Sequence, residues 1–150
     1  MAHWLFKSEP HKWSWDAQVA AGAAGTHWDG VRNHSAKINM QAMKVGEQGF
    51  FYHSNEGKEI VGLVEVIRSA YPDPSDASGR FVMVDLKAVR ALKSAVSLAT
   101  IKSDPRLENM ALVKYSRLSV QPVSDAEWDL ILALGSDPIR LNWSDRQISL

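Results

Sequence analysis

Residues 59–68 read Glu-Ile-Val-Gly-Leu-Val-Glu-Val-Ile-Arg, a run rich in β-branched residues that predicts a strand. The part from Ile60 to Val64 is apolar throughout. Because successive side chains of a strand point to opposite faces, such a run is buried on both faces. The stretch therefore predicts a strand in a central position of a sheet.

Four further segments predict strands around this one. Gln48 to Ser54 precedes it, and Phe81 to Ala91 follows it with alternating apolar and polar residues. His3 to Ser8 forms a first strand that Pro10 ends, and Leu118 to Val123 forms a late one. The segment from Tyr71 to Gly79 contains prolines, serines, aspartates and a glycine, and it predicts a loop.

The predicted helices are short. Ser14 can cap a helix over 15–21, the spacing of apolar residues predicts a helix over 36–43, and residues 97–101 predict a helical turn. Residues 124–127, Ser-Asp-Ala-Glu, form a capping box that begins a helix ending at Gly135. Since no strand–helix–strand alternation occurs, we expect an α+β fold: a mixed or antiparallel β-barrel of five to six strands flanked by short α-helices.

Length and composition bound the class of protein. The chain has 150 residues, of which 45% are hydrophobic and 23% charged, which is typical of one globular domain spanning residues 1–150. The absence of cysteine excludes disulfides, cysteine-ligated zinc and a cysteine nucleophile. With no long apolar run and no signal peptide pattern, we expect a cytoplasmic protein without membrane contact. The last dozen residues predict a tail that packs a strand or Trp143 against the body.

The charge is balanced overall and uneven locally. The chain has 17 basic and 17 acidic residues, so it lacks the basic surplus that is typical of nucleic-acid-binding proteins. Residues 80–117 nevertheless contain eight basic and three acidic side chains. If these cations share one face, that face can hold a polyanion; the alternative is scattered, solvated charge.

Motifs of common enzymes are absent from the sequence. It contains neither a glycine-rich phosphate loop nor a G-x-S-x-G nucleophile turn, and its five histidines lack metal-binding spacing. His53 and Ser54 are adjacent on a predicted strand, so they point to opposite faces and cannot form a base–nucleophile pair. We expect no catalytic residue, no metal and no cofactor.

Five segments combine aromatic and polar residues where a core would be aliphatic. Aromatic faces stack on bases for about 1–3 kcal/mol each, and Ser, Asn and Gln can pair with a base edge. This mixture is suited to a pocket for a flat, polar ring. The segments are Trp4 to Pro10, Trp28 to Asn33, Phe50 to Asn55, Tyr71 to Asp73, and Leu118 to Val123.

In this order and spacing, the five segments resemble the EVE domain family of the PUA-like superfamily. The resemblance runs from Trp4 to about Leu134. It implies a PUA-like β-barrel of five to six strands flanked by short helices, and recognition of a modified base in DNA or RNA. It also implies kinship with YTH domains, which have a K-S-N-N element on their first strand and a G-V-W-S element before their second helix. In this chain, Lys7 to Pro10 resembles the first element, and Trp28 resembles the tryptophan of the second.

Eight of the candidate binding residues also have a structural explanation. Trp28 is either a wall of the pocket or a lid over the core, Arg32 either a phosphate ligand or a loop brace, and Asn33 either a base contact or a helix cap. Tyr52 can pack in the core, and Asn55 can be a turn residue. The side chains that can simply be solvated are those of Lys7, Ser119 and Gln121. The full candidate set is Lys7, Ser8, Trp28, Arg32, Asn33, Tyr52, His53, Ser54, Asn55, Ser119 and Gln121.

Together with the resemblance, which implies a modified base, these residues predict non-enzymatic binding of a modified nucleobase by a monomer, with DNA and RNA both open. The base would be extruded, stacked on Trp28 or another aromatic residue, and read at its edge. Three alternatives remain: a sensor of a free nucleoside or anion, an enzyme using His53 or Asp73 as acid or base, and a scaffold with a closed pocket.

Overall fold

The structure, a computed structural model, describes residues 1–136, so the predicted C-terminal tail with Trp143 lies outside the described residues. It contains a six-stranded mixed sheet with strand order β2-β5-β4-β3-β1-β6. β1 is parallel to β3, and the other neighbouring pairs are antiparallel. The strands are β1 (His3–Ser8), β2 (Thr26–His27), β3 (Gln48–His53), β4 (Glu59–Pro72), β5 (Val82–Ser97) and β6 (Val120–Val123).

Five short helices flank the sheet, which confirms the α+β class. Among the described residues the terminal strands β2 and β6 do not pair with each other, so the six strands form a sheet that is not closed into the predicted barrel. No helix within residues 1–136 is long and apolar enough to cross a membrane. The helices are α1 (Trp15–Ala20), α2 (His34–Ala42), α3 (Leu98–Ser103), α4 (Ala111–Lys114) and α5 (Asp125–Leu134), with 3₁₀ turns at Gly22–Ala24 and Pro105–Leu107.

The central position of β4 is confirmed, because β3 and β5 pair with its two sides. The sheet separates two buried clusters. One contains Phe6, Phe51 and Val64 with side chains from α1 and α2. The other contains Leu5 and Phe50 with side chains from α3 to α5. Both faces of the sheet are covered, which is why the apolar run of β4 lacks polar alternation.

Local capping chemistry agrees with the sequence. The Ser14 hydroxyl accepts from the N–H of Ala17 at 3.1 Å and caps α1. The capping box at Ser124 and Glu127 is complete, and α5 begins there as predicted. These ends depend on side chains within three residues of the helix start, so short-range reasoning suffices to find them.

Two strand ends differ from the prediction by more than two residues. β5 continues six residues beyond Ala91 to Ser97, since Val96 and Ser97 pair with the start of β4. β4 extends to Pro72, within the predicted loop, because Tyr71 and Pro72 pair with the start of β5. Both extensions arise from pairing between the two longest strands, and proline is tolerated at a strand end.

Candidate functional site

The parallel pairing of β1 and β3 brings their carboxyl ends to one edge of the sheet. Ser8 lies opposite His53, and Lys7 lies opposite Tyr52. Just beyond the strands, the N–H of Ser54 donates to the carbonyl of Ser8 at 2.9 Å. The structure thus brings together candidate residues that are more than 40 positions apart in the chain.

β6 runs antiparallel to β1, so its amino end reaches the same edge. The N–H of Lys7 donates to the carbonyl of Ser119 at 2.9 Å. The Lys7 ammonium donates to the carbonyl of Ser116 at 2.8 Å, and partial burial lowers the Lys7 pKa. Eight of the eleven candidates lie at or next to this edge: Lys7, Ser8, Tyr52, His53, Ser54, Asn55, Ser119 and Gln121.

The pleat divides these residues between the two faces of the sheet. Tyr52 belongs to the cluster under α3 to α5, and burial raises its pKa. His53 lies on the opposite face, where its ring meets Phe51 at 5.6 Å between centroids. The candidates within the strands therefore face two sides of the sheet, whereas Ser54 and Asn55 lie in the turn beyond β3, where the pleat assigns no face.

An aromatic cluster surrounds Phe51 on the face that α1 and α2 cover. The ring centroids of Trp15 and Trp28 lie 5.3 and 5.8 Å from that of Phe51, in edge-to-face geometry. Trp28 also meets Phe6 at 5.5 Å, and only 8% of Trp28 is exposed. Trp28 thus covers this core and forms the upper layer of the cluster.

Ser8 and His53 hold the beginning of α1 against the sheet edge. The His53 Nε2 accepts from the backbone N–H of Trp15 at 3.0 Å, and the Ser8 hydroxyl donates to the carbonyl of Trp13. Burial lowers the pKa of His53, although the carboxylates of Glu59 and Asp16 oppose this shift. A neutral imidazole at position 53 is required, since only the neutral ring can accept at Nε2.

The loop that carries Trp28 is fastened by a buried carboxylate. Asp73 has no exposed side-chain surface, and it accepts from the N–H of Gly30 at 2.8 Å and from Arg32 at 3.2 Å. Burial raises the pKa of Asp73, but hydrogen bonds from Ser75, Gly30 and Arg32 outweigh this and leave it below its ordinary value. Arg32 also donates to the Ser75 hydroxyl at 3.0 Å, so it braces the loop.

Three other candidates are engaged within the fold. The Asn33 side chain caps α2 by accepting from the N–H of Ala36 at 2.8 Å. Asn55 adopts a left-handed turn with φ of 65° and donates to Glu9. Gln121 is 0% exposed and donates to the Leu118 carbonyl at 2.9 Å, while its Oε1 has no partner within residues 1–136. Gln121 is therefore buried and does not lie on a solvated face.

Beside this edge lies an open cleft of about 500 Å³, lined by Asn33, Ser35 and residues 114–118. We call it the 114–118 cleft. Sequence reasoning did not single out Lys114, Tyr115 or Arg117, although the basic excess of residues 80–117 was the available signal. Two other cations of that segment lie elsewhere and have acidic neighbours: Lys87 is 3.9 Å from Glu65, and Arg106 is 2.8 Å from Asp104.

Within residues 1–136, no group of three histidine, aspartate or glutamate side chains is placed to hold an ion. The chemistry of the edge is that of stacking faces, hydroxyls, amides and cations.

Comparison with known proteins identifies relatives over most of the chain. A family model described as EVE domain matches residues 2–134. Human thymocyte nuclear protein 1 is 37% identical over 165 residues, covering 89% of this chain and 73% of the human protein.

Solved structures share the fold. Rpa0253 from Rhodopseudomonas palustris is 64% identical with a TM-score of 0.86, covering 90% of this chain and 93% of that one. Human THYN1, solved with 5-methylcytosine-containing DNA, is 36% identical with a TM-score of 0.85, covering 91% of this chain and 99% of that one. A YTH domain from Zygosaccharomyces rouxii is similar in fold alone. It is 16% identical with a TM-score of 0.55, covering 99% of this chain and 88% of that one.

Proposed function

This chain belongs to the EVE domain family, and we propose that it binds a modified nucleobase of DNA or RNA at the edge of its sheet, as a monomer and without catalysis. The observation that carries the proposal is the likeness, over 91% of this chain, to human THYN1 solved with 5-methylcytosine-containing DNA. The cluster around Phe51 supports it, because Trp15 and Trp28 pack on Phe51 and the ring of His53, at the sheet edge, meets the ring of Phe51.

In this proposal the base is extruded from its strand and stacks on Trp28. Extrusion costs a few kcal/mol, and stacking returns about 1–3 kcal/mol. Hydrogen bonds to the base edge must supply the rest. Ser54 is suited to this role, since its backbone N–H is bound to Ser8 while its hydroxyl has no partner within residues 1–136. Lys7 lies beside Ser119 at the same edge and would neutralise phosphate.

An acid–base role for His53 or Asp73 is disfavoured by their existing bonds. His53 accepts from Trp15, and the pKa shift from burial keeps it neutral. Asp73 is buried under donors from Gly30, Arg32 and Ser75 and holds a loop in place. The His53 Nε2 and the Asp73 carboxylate, which are the atoms that would accept a proton, are thus already engaged within the protein.

The test is direct binding by fluorescence anisotropy. The probes are 12-nucleotide DNA and RNA strands and duplexes carrying one cytosine, 5-methylcytosine or 5-hydroxymethylcytosine, each at two salt concentrations. We expect one modified probe to bind at least tenfold more tightly than its unmodified match. Equal affinity for all probes would overturn the proposal, and tight binding of the free nucleoside without oligonucleotide binding would favour a small-molecule sensor.

A matched pair of variants connects the preference to the site. Trp28→Leu and Trp4→Leu each remove a buried indole, with 8% and 5% of the residue exposed. Trp4 donates to Glu47 at 2.9 Å, away from the proposed pocket. We expect Trp28→Leu to lose the preference and Trp4→Leu to keep it, at a temperature where circular dichroism shows both variants folded. Loss of the preference in both would remove Trp28 from the proposed pocket.

A further inference from the structure

The 114–118 cleft has the chemistry of a polyanion site. Among its lining residues, Lys114 and Arg117 are cationic and none is acidic. Within residues 1–136 neither of these cations lies within ion-pair distance of a carboxylate. Their charges are thus available to a ligand, in contrast to Lys87 and Arg106 of the same basic segment.

Tyr115 adds an exposed aromatic face to this cleft. It is 56% exposed, whereas most other large aromatic side chains of the described chain are buried in the two clusters. An exposed ring between two cations is the combination that single-stranded nucleic acid binds, with bases on the ring and phosphates on the cations. The cleft volume of about 500 Å³ lies within the usual range of ligand sites, about 300–1,000 Å³.

The segment that forms the cleft is held rigidly. The N–H of Leu118 donates to the carbonyl of Tyr115 at 3.1 Å, and the carbonyl of Leu118 accepts from Gln121 at 2.9 Å. Lys7 donates to the carbonyl of Ser116 at 2.8 Å. A backbone held at three carbonyls presents its side chains in a fixed arrangement, which lowers the entropy lost on binding.

The cleft adjoins the core cluster to which Trp28 belongs. Leu118, one of its lining residues, packs against the cluster that contains Trp28. Asn33, at the other side of the cleft, ends the loop that carries Trp28. These connections make residues 114–118 the candidate contact for a nucleotide that flanks a base stacked on Trp28.

We propose that the 114–118 cleft binds the sugar–phosphate backbone next to the modified base, with Lys114 and Arg117 on phosphates and Tyr115 stacked on a flanking base. This inference rests on the proposed function and names the part of the nucleic acid that this second surface binds. It explains how a chain of zero net charge can hold a polyanion: two cations that have no acidic partner within residues 1–136 lie beside the pocket and replace a basic surface.

The test compares Lys114→Gln/Arg117→Gln with Lys93→Gln/Lys102→Gln, which removes the same charge from exposed positions outside the cleft. The probes are the 12-nucleotide 5-methylcytosine strand, its duplex, their unmodified matches, and free 5-methyl-2′-deoxycytidine. Each phosphate contact contributes about 0.7 (single strand) or 0.9 (duplex) to the slope of log affinity against log salt. We expect the cleft variant to lower this slope by about 1.4 or 1.8, and the control variant to leave it nearly unchanged.

The free nucleoside separates the two proposals. Because it carries no phosphate, its affinity should be the same in the cleft variant and the unaltered protein. Equal slopes in the cleft and control variants, with the modified-base preference intact, would overturn the cleft proposal alone. A lowered slope without any preference for a modified base would leave the cleft proposal standing and overturn the base-recognition proposal.

The stacking role of Tyr115 is tested by two variants, one that removes the aromatic ring and one that keeps it. Tyr115→Ala should weaken oligonucleotide binding by about fivefold or more, the lower limit for one stacked base, and Tyr115→Phe should retain nearly full affinity. Both variants keep the backbone hydrogen bonds of residue 115. Equal affinity of the Ala and Phe variants would remove the stacking contact from the proposal.

Discussion

The carboxylate of Asp73 lies 3.2 Å from the guanidinium of Arg32, and this ion pair joins the loop that follows β4 to the loop that carries Trp28. Asp73 is fully buried, whereas Arg32 is partly exposed. The same carboxylate accepts from the N–H of Gly30 at 2.8 Å. The position of Trp28 therefore depends on a charge that lies 45 residues further along the chain.

Replacing Asp73 by Asn should destabilise the protein and loosen this loop. The amide offers one acceptor oxygen and no charge to the donors of Gly30, Arg32 and Ser75. We expect the free energy of unfolding in urea to fall by about 2–3 kcal/mol, since a hydrogen bond to a charged group contributes about 1.5–3 kcal/mol. The exposed Asp129→Asn on α5 is the control, and equal stability of the two variants would contradict the prediction.

The same carboxylate makes stability depend on acid pH. The Asp73 pKa is below its ordinary value of 3.8 in the folded protein, so its contribution is complete above that value and is lost as pH falls through the folded pKa. Urea unfolding between about pH 3 and pH 7 should show stability falling below about pH 4. The decline should be shallower in Asp73→Asn, with a remaining slope from Glu47 and Asp76, whose pKa values are also lowered. If the curves of stability against pH for Asp73→Asn and the unaltered protein were parallel, the decline would belong to other groups.

Gly62 is required by the ring of Trp15. A Cβ built at position 62 would lie 2.5 Å from the Cη2 and Cζ2 atoms of that indole. We expect Gly62→Ala to cost about 1–3 kcal/mol by overpacking, measured by thermal unfolding, and to change tryptophan fluorescence. In a Trp15→Phe background those two atoms are absent, so the cost of Gly62→Ala should fall below 1 kcal/mol. The same cost in both backgrounds would mean that Trp15 is not the obstacle.

Ser54 provides a test of base readout that leaves the core intact. Ser54→Ala should weaken binding of the 5-methylcytosine probe about two- to tenfold, the effect of one net hydrogen bond, and leave unmodified DNA unchanged. The stability should change by less than about 0.5 kcal/mol, because the backbone bond to Ser8 persists. Ser94→Ala on β5 is the matched control. An equal loss of affinity for both probes would place Ser54 at the sugar–phosphate backbone of the nucleic acid and away from the base.

Local chemistry made much of the fold predictable. The bounds of β1 were predicted to the residue, and the caps at Ser14 and Ser124 were read from side chains close to the helix ends. The apolar run of β4 predicted its central position, because a strand that is buried on both faces has apolar residues at successive positions. By contrast, the far ends of β4 and β5 are strand only because they pair with each other.

The candidate site, too, was predictable from the sequence only in part. Sequence patterns selected residues of suitable chemistry, and the family resemblance is confirmed over residues 2–134. Sequence could not decide which of those side chains were already used: Asn33 as a cap, Arg32 as a brace and Gln121 as a buried amide.

The sequence by itself thus determined the fold class, the helix caps, the central strand and the family, because each leaves a local or ordered pattern of residues. Only the tertiary structure decided that the ends of β1 and β3 meet and that their side chains divide between two faces. It also decided that Lys114, Tyr115 and Arg117 form a cleft next to that edge. The physical reason is that parallel pairing and ion pairing join residues far apart in the chain, and no local pattern records the partner.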